Sequence, residues 1–284
     1  MNGTLMAADL SFGFGEKQIL NHITFEVGKG EIFGLLGPSG AGKTTLIKLL
    51  TGQLRQKEGY AELLGKDTRE LGDSEHRQIG IMMDDFGLYE RLSAYDNLLF
   101  YADIYGVSHS RIPDILNSIG LYEARNRAVF KLSKGMKNRL SLARALMNDG
   151  KILFLDEPTS GLDPAVSKEI HDILAEQKKR GTAIFLTTHN MFEAESLCDQ
   201  IALLNEGSIL EYGSPADICR KYDHLNKIQV TLKGGEMVSL ENSKASALWV
   251  KEYLEQEMVE AIHSTEPTLE TVFLELTGRG LGEL

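Results

Sequence analysis

The chain has 284 residues, 42% of them hydrophobic, with 30 basic against 41 acidic side chains and a net charge of −11. At roughly 100–200 residues per domain, this length gives one large domain, or one with a small appendage. The acidic balance disfavours a duplex DNA binder, which needs a basic face to displace counterions, so no nucleic-acid partner is expected. Cys198 and Cys219 lack metal or redox spacing, no apolar run approaches the roughly 18 residues of a membrane span, and the start Met1-Asn2-Gly3-Thr4 has no secretion-signal pattern. These features together predict a cytoplasmic protein.

Ile32–Leu36 reads as a strand apolar on both faces, as in the centre of a parallel sheet. A helix pattern starts at Lys43, with Leu46, Leu49 and Leu50 on one face and Gly52 as its stop. Residues 85–149 lack strand character and are predicted helical, with breaks at Gly106, Pro113 and Gly120. Strand-like runs at 151–155 and 182–188 flank a helix pattern carrying Val166, Ile170, Ile173 and Leu174. The basic run Lys178-Lys179-Arg180 ends that helix, where cations complement its dipole, and is read as solvated surface. Strands alternating with helices predict an α/β fold with a parallel sheet covered by helices.

Around residues 222–227 the texture changes. Ile228, Val230 and Leu232 alternate with polar residues, and Gly234-Gly235 turns into a second strand pattern. A helix near 245–255 and an apolar segment at 258–262 follow. The terminal helix is expected to be capped by Thr265, with Pro267 in its first turn, Leu269, Val272, Phe273 and Leu276 on one face, and Gly278 as its stop. The expected division is a main domain over 1–222 and a small α/β accessory domain over 223–284.

Gly37-Pro38-Ser39-Gly40-Ala41-Gly42-Lys43-Thr44, followed by Thr45, is a phosphate-binding GxxxxGKT loop directly after the buried strand and opening a helix. Its glycines let backbone N–H groups converge on phosphate, and the helix N-terminus adds positive potential. Lys43 is suited to the β- and γ-phosphates and the Thr44 hydroxyl to Mg²⁺. Residues 151–157, Lys-Ile-Leu-Phe-Leu-Asp-Glu, form an apolar strand ending in two carboxylates. Asp156 falls at the strand's carboxyl end, where it can hold Mg²⁺ directly or through water. Glu157 is suited to orient or deprotonate an attacking water. Leu132-Ser133-Lys134-Gly135-Met136 opens a helix pattern. A capping serine with a glycine accounts for those residue types without a ligand, although the same geometry presents N–H groups to a phosphate.

Taken in order, the phosphate loop, Leu-Ser-x-Gly, the apolar Asp-Glu strand, Ser160-Gly161-Leu162-Asp163 and His189 resemble the ABC ATPase family over about residues 4–220. That resemblance implies a P-loop NTPase fold with a parallel-sheet core, an antiparallel β part and a helical subdomain over about 85–149. It also implies ATP with Mg²⁺ as ligands, hydrolysis, and two ATPase subunits closing on two nucleotides. By resemblance, Ser133, Lys134, Gly135 and Met136 form the signature loop that meets the nucleotide of the opposite subunit. Asp163 matches the D-loop aspartate and His189 the switch histidine. Phe14 matches the aromatic that stacks on adenine, with core packing as a competing reading because Phe12 lies on the same face of the same strand. A strand-end histidine satisfied by backbone is the competing reading of His189.

The sequence departs from the family at Lys134 and Met136, where Gly and Gln are usual, a variant resembling exporter ATPases of drug, bacitracin and lantibiotic-type resistance. Asp84 stands where the Q-loop glutamine is expected, and a carboxylate there can still reach Mg²⁺. The tail, notably residues 264–276, also resembles the C-terminal extension of that exporter group, in a dimer-contact or regulatory role or as a packing appendage. The resemblance implies an ATP-binding subunit that drives a separate transmembrane permease as a homodimer or paired ATPase. It would then be peripheral on the inner face of the cell membrane, and export is the expected direction. A soluble ABC-type ATPase in DNA repair or on ribosomes, and an importer ATPase, remain the alternatives.

Overall fold

The computed structural model describes residues 4–83, 87–224, 227–265 and 267–278. The chain forms two compact units, one running to Ser214 and one beginning at Pro215. The helix Pro215–Lys221 therefore belongs to the second unit, whereas the border expected from sequence lies after residue 222.

The first unit rests on two sheets. Six strands lie in the order Ser208–Gly213, Gln200–Asn205, Ile32–Leu36, Ala183–Thr188, Ile152–Asp156 and Ile79–Met82. Neighbours are parallel except for the first pair, which is antiparallel. Ile32–Leu36, Ile152–Asp156 and Ala183–Thr188 are buried along their whole length, which is why their sequences lack a polar face. An antiparallel sheet places Lys17–Val27, Leu5–Phe14, Glu58–Leu63 and Lys66–Asp67 side by side.

Aromatic rings join the two sheets. Parallel register sets Phe185 between Phe33 and Phe154, with ring centroids 5.3 Å and 5.8 Å away. Phe25 of the antiparallel sheet stacks on Phe33 at 4.9 Å, in one core with Leu46, Leu49 and Leu50. Phe33, Phe154 and Phe185 are fully buried, each contributing about 1.5–3 kcal/mol relative to exposure.

A separate core around Leu98, Leu116 and Leu140 gathers the helices Ala94–Tyr105, Ile112–Ser118 and Lys134–Leu146. Ser93 caps the first by accepting from Asp96 N–H, and Gly106 ends it in the left-handed conformation at φ 68°. Pro113 does not break a helix, contrary to the sequence expectation. It sits in the first turn of Ile112–Ser118, where its missing N–H has no intrahelical partner to lose. In the basic run at 178–180, Lys179 and Arg180 are exposed as expected, while Lys178 is held in an ion pair. Lys178 Nζ donates to Asp199 Oδ1 at 2.5 Å, and Asp199 Oδ2 accepts from Ile32 N–H at 2.9 Å.

The second unit contains an antiparallel sheet in the order Met237–Glu241, Lys227–Leu232 and Val259–Ser264, with the helices Pro215–Lys221, Ser246–Glu255 and Leu269–Thr277. Its last helix is capped by Thr268, not Thr265. The Thr265 hydroxyl instead exchanges hydrogen bonds with the backbone of Lys227 at 3.1 Å, prolonging the sheet. Gly278, at φ 67°, ends the helix as expected. Among the described residues, no helix is long and apolar enough to cross a membrane.

Candidate functional site

The phosphate loop links the carboxyl end of Ile32–Leu36 to the helix Lys43–Leu50. Two of its glycines meet distinct constraints. A Cβ on Gly37 would lie 2.3 Å from the Leu204 carbonyl oxygen, and Gly42, preceding the helix, holds φ 112°. Lys43 is only 7% exposed, so its ammonium needs partners. Its Nζ donates to the carbonyls of Gly37 at 2.7 Å and Pro38 at 3.2 Å, and lies 3.3 Å from Glu157 Oε1.

Asp156 closes the strand Ile152–Asp156, second from the edge of its sheet, and is buried. Both of its carboxylate oxygens accept hydrogen bonds: Oδ2 from Thr44 Oγ1 at 2.7 Å and Oδ1 from Thr187 Oγ1 at 2.5 Å. Thr187 stands beside Asp156 because the two strands run parallel in that register. Glu157 then leaves the strand at φ 51°, a left-handed conformation costing of order 1–3 kcal/mol for a residue with a side chain. Its N–H is held by both the carbonyl and the hydroxyl of Thr187 at 3.1 Å. With Oε1 facing Lys43, its Oε2 lies 2.7 Å from Nδ1 of His189, the half-exposed residue just past the strand Ala183–Thr188.

Phosphate loop, Asp156, Glu157 and His189 thus converge at the carboxyl ends of three adjacent parallel strands, the usual ligand edge of such a sheet. A cavity of about 320 Å³ opens there, lined by Ser39, Gly40, Lys43, Thr44, Asp156 and Glu157 among others. Thr44 and Asp156 offer oxygen donors, the hard set that Mg²⁺ takes beside phosphate oxygens. Among the described residues, no three or more acidic, His or Cys side chains cluster as a metal cage. A larger cavity of about 760 Å³, lined by Arg111, Arg139 and Arg180 among others, contains none of these residues.

Phe14 is 55% exposed while Phe12 is buried, the rings meeting edge to face at 4.9 Å. The core position belongs to Phe12. Ser133 caps the helix Lys134–Leu146, accepting from Met136 N–H at 3.2 Å. Asp163 caps Pro164–Lys179, accepting from Ala165 and Val166 N–H at 3.1 Å. Lys134 and Gly135 lie against that segment: a Cβ on Gly161 would meet Lys134 Nζ at 2.3 Å, and one on Gly135 would meet Val166 at 3.2 Å. Ser133, Lys134, Gly135, Met136 and Asp163 do not line the phosphate-loop cavity of their own chain. Asp84 lies outside the described residues. Thr187 was not singled out in the sequence, although a Thr-Thr pair ending an apolar strand directly before a candidate histidine is a signal for it.

The ABC transporter family profile matches residues 20–160. A fluoroquinolones export ATP-binding protein of Mycobacterium tuberculosis is 42% identical over 262 residues, covering 90% of this chain and 87% of that protein. A lantibiotic transport ATP-binding protein of Streptococcus pyogenes is 39% identical, covering 72% of this chain and 89% of that protein. A solved ATP-binding subunit of an ABC transporter is 28% identical and superposes with a TM-score of 0.71, covering 87% of this chain and 98% of that one. The chain belongs to the ABC transporter family as an ATP-binding, ATP-hydrolysing subunit.

Proposed function

We propose that this subunit powers export of drugs, antimicrobial peptides or related amphiphiles, driving a separate membrane permease through ATP-dependent pairing of ATPase subunits. The observation that carries the hydrolytic reading is the convergence of Lys43, Thr44, Asp156, Glu157 and His189 at one sheet edge. Export is supported by what the relatives' names state of those proteins, and by Lys134 and Met136 in the signature loop.

Lys43 and the N–H groups of the phosphate loop bind the β- and γ-phosphates, and the exposed ring of Phe14 stacks on adenine. Thr44 and Asp156 hold Mg²⁺, which when bound neutralises charge on the phosphates. Glu157 accepts a proton from the attacking water. His189, hydrogen-bonded through Nδ1, fixes that carboxylate and leaves Nε2 for the γ-phosphate. Ser133, Lys134, Gly135 and Met136 complete the site of a second ATPase subunit, with Asp163 between the two sites. Asp84 retains a metal-linked role and tunes turnover. Docked on its permease, the subunit works at the inner face of the cell membrane.

Affinity purification of Glu157→Gln from native membranes, in mild detergent with Mg·ATP, tests this reading. A stoichiometric multi-spanning polypeptide is expected by mass spectrometry. Recovery of soluble partners alone, with the protein absent from membranes, would overturn it.

A further inference from the structure

We propose that Glu193 is a positioning residue for hydrolysis, fixing the helix behind His189 against the loop behind Glu157. The inference rests on the roles given above to Glu157 and His189.

Glu193 lies in the helix Met191–Leu197 and is 2% exposed. Its backbone N–H donates to Asn190 Oδ1 at 3.2 Å, which locks the chain immediately after His189. Its carboxylate Oε1 accepts from Thr159 Oγ1 at 2.7 Å, in a buried contact, and lies 2.9 Å from His171 Nε2. Thr159 follows Glu157 by two residues, and His171 belongs to the helix Pro164–Lys179 that Asp163 caps. One oxygen therefore ties together the three segments that carry Glu157, His189 and Asp163. A cavity of about 570 Å³ has Glu157, His171, His189 and Glu193 on its walls, so these side chains surround one space.

Burial makes an ionised carboxylate costly, and an apolar trio of similar volume would stabilise the fold at least as well. Directed hydrogen bonds supply orientation, which packing alone does not. Burial pushes the Glu193 carboxyl up, but the hydrogen bonds it receives, His171's foremost, more than offset this and hold it below the ordinary range. The charge is thereby retained where it aligns the two catalytic segments.

Thr159→Val removes one donor at nearly constant shape, Glu193→Gln removes the charge, and Thr159→Ser restores the hydroxyl. Each is measured for kcat, KM, nucleotide affinity, melting temperature and the ¹⁵N resonances of the His189 ring. Thr159→Val and Glu193→Gln are expected to lower kcat by about 10- to 100-fold with KM and nucleotide affinity unchanged. The His189 Nδ1 resonance is expected to move toward free imidazole, and Thr159→Ser to return both readouts to wild type. A kcat that stays at the wild-type level, a loss that merely follows melting temperature and nucleotide affinity, or an unmoved His189 resonance would overturn the proposal. Sustained hydrolysis by Glu157→Gln would overturn the underlying roles and the inference with them. An inactive Glu157→Gln beside a fully active Thr159→Val would overturn the inference alone.

Discussion

The Thr187 hydroxyl donates to Asp156 Oδ1 at 2.5 Å across two parallel strands, and Thr187 Oγ1 itself accepts from Glu157 N–H at 3.1 Å. One side chain thus orients Asp156 and pins the left-handed turn that aims Glu157. Thr187→Val keeps the shape but leaves buried polar groups short of a partner, costing about 1–3 kcal/mol. A lower melting temperature and a fall in ATPase rate are expected, with Thr187→Ser close to wild type. Thermal unfolding and steady-state hydrolysis check this.

Gly37 owes its identity to space. The Leu204 carbonyl would stand 2.3 Å from an added Cβ, and backbone cannot swing aside as a flexible side chain can. Gly37→Ala is expected to displace the loop, destabilise the fold by about 1–3 kcal/mol and weaken nucleotide binding. Calorimetric titration with a non-hydrolysable ATP analogue, beside a melting curve, measures both effects.

Cys198 is buried, and burial foremost, followed by the charges of Glu193 and Asp199, pushes its thiol well above the usual range. Because the thiolate is the nucleophile, native Cys198 is expected to resist iodoacetamide at mildly alkaline pH. Labelling on addition of denaturant, followed by mass spectrometry, is the check.

The Glu193 carboxyl titrates lower folded than unfolded, so the unfolded chain binds more protons in the acidic window and stability rises with pH there. Its contribution is fully present above the ordinary glutamate value and is lost as pH falls through the folded one. Wild type should therefore lose more stability than Glu193→Gln on going from neutral to acidic pH. Urea unfolding at a series of pH values reads the two slopes.

Local chemistry was legible in the sequence wherever a short segment carries its own constraint. Gly37 to Thr44 is such a segment, as are Gly106 and Gly278, which end helices in the left-handed conformation. Asp156 and Glu157 were legible because an apolar strand must end on the polar edge of the sheet. Thr187 and Glu193 were not, since their roles depend on register and packing between segments distant in sequence. Pro113 and Thr265 were misread for a related reason. A proline fits a first helical turn as readily as it breaks one, and Thr265 finds its partner across a strand, in Lys227. Ser133 to Met136 could be recognised by resemblance, yet they do not line the phosphate-loop cavity of their own chain.

The most direct test of the central claim compares Glu157→Gln with wild type for ATP binding, subunit mass and hydrolysis in one preparation. The variant is expected to bind Mg·ATP and pair, while hydrolysing roughly 10²–10⁴-fold more slowly. Hydrolysis at the wild-type rate by a variant that still binds nucleotide would contradict the assignment of Glu157 as the group that activates water.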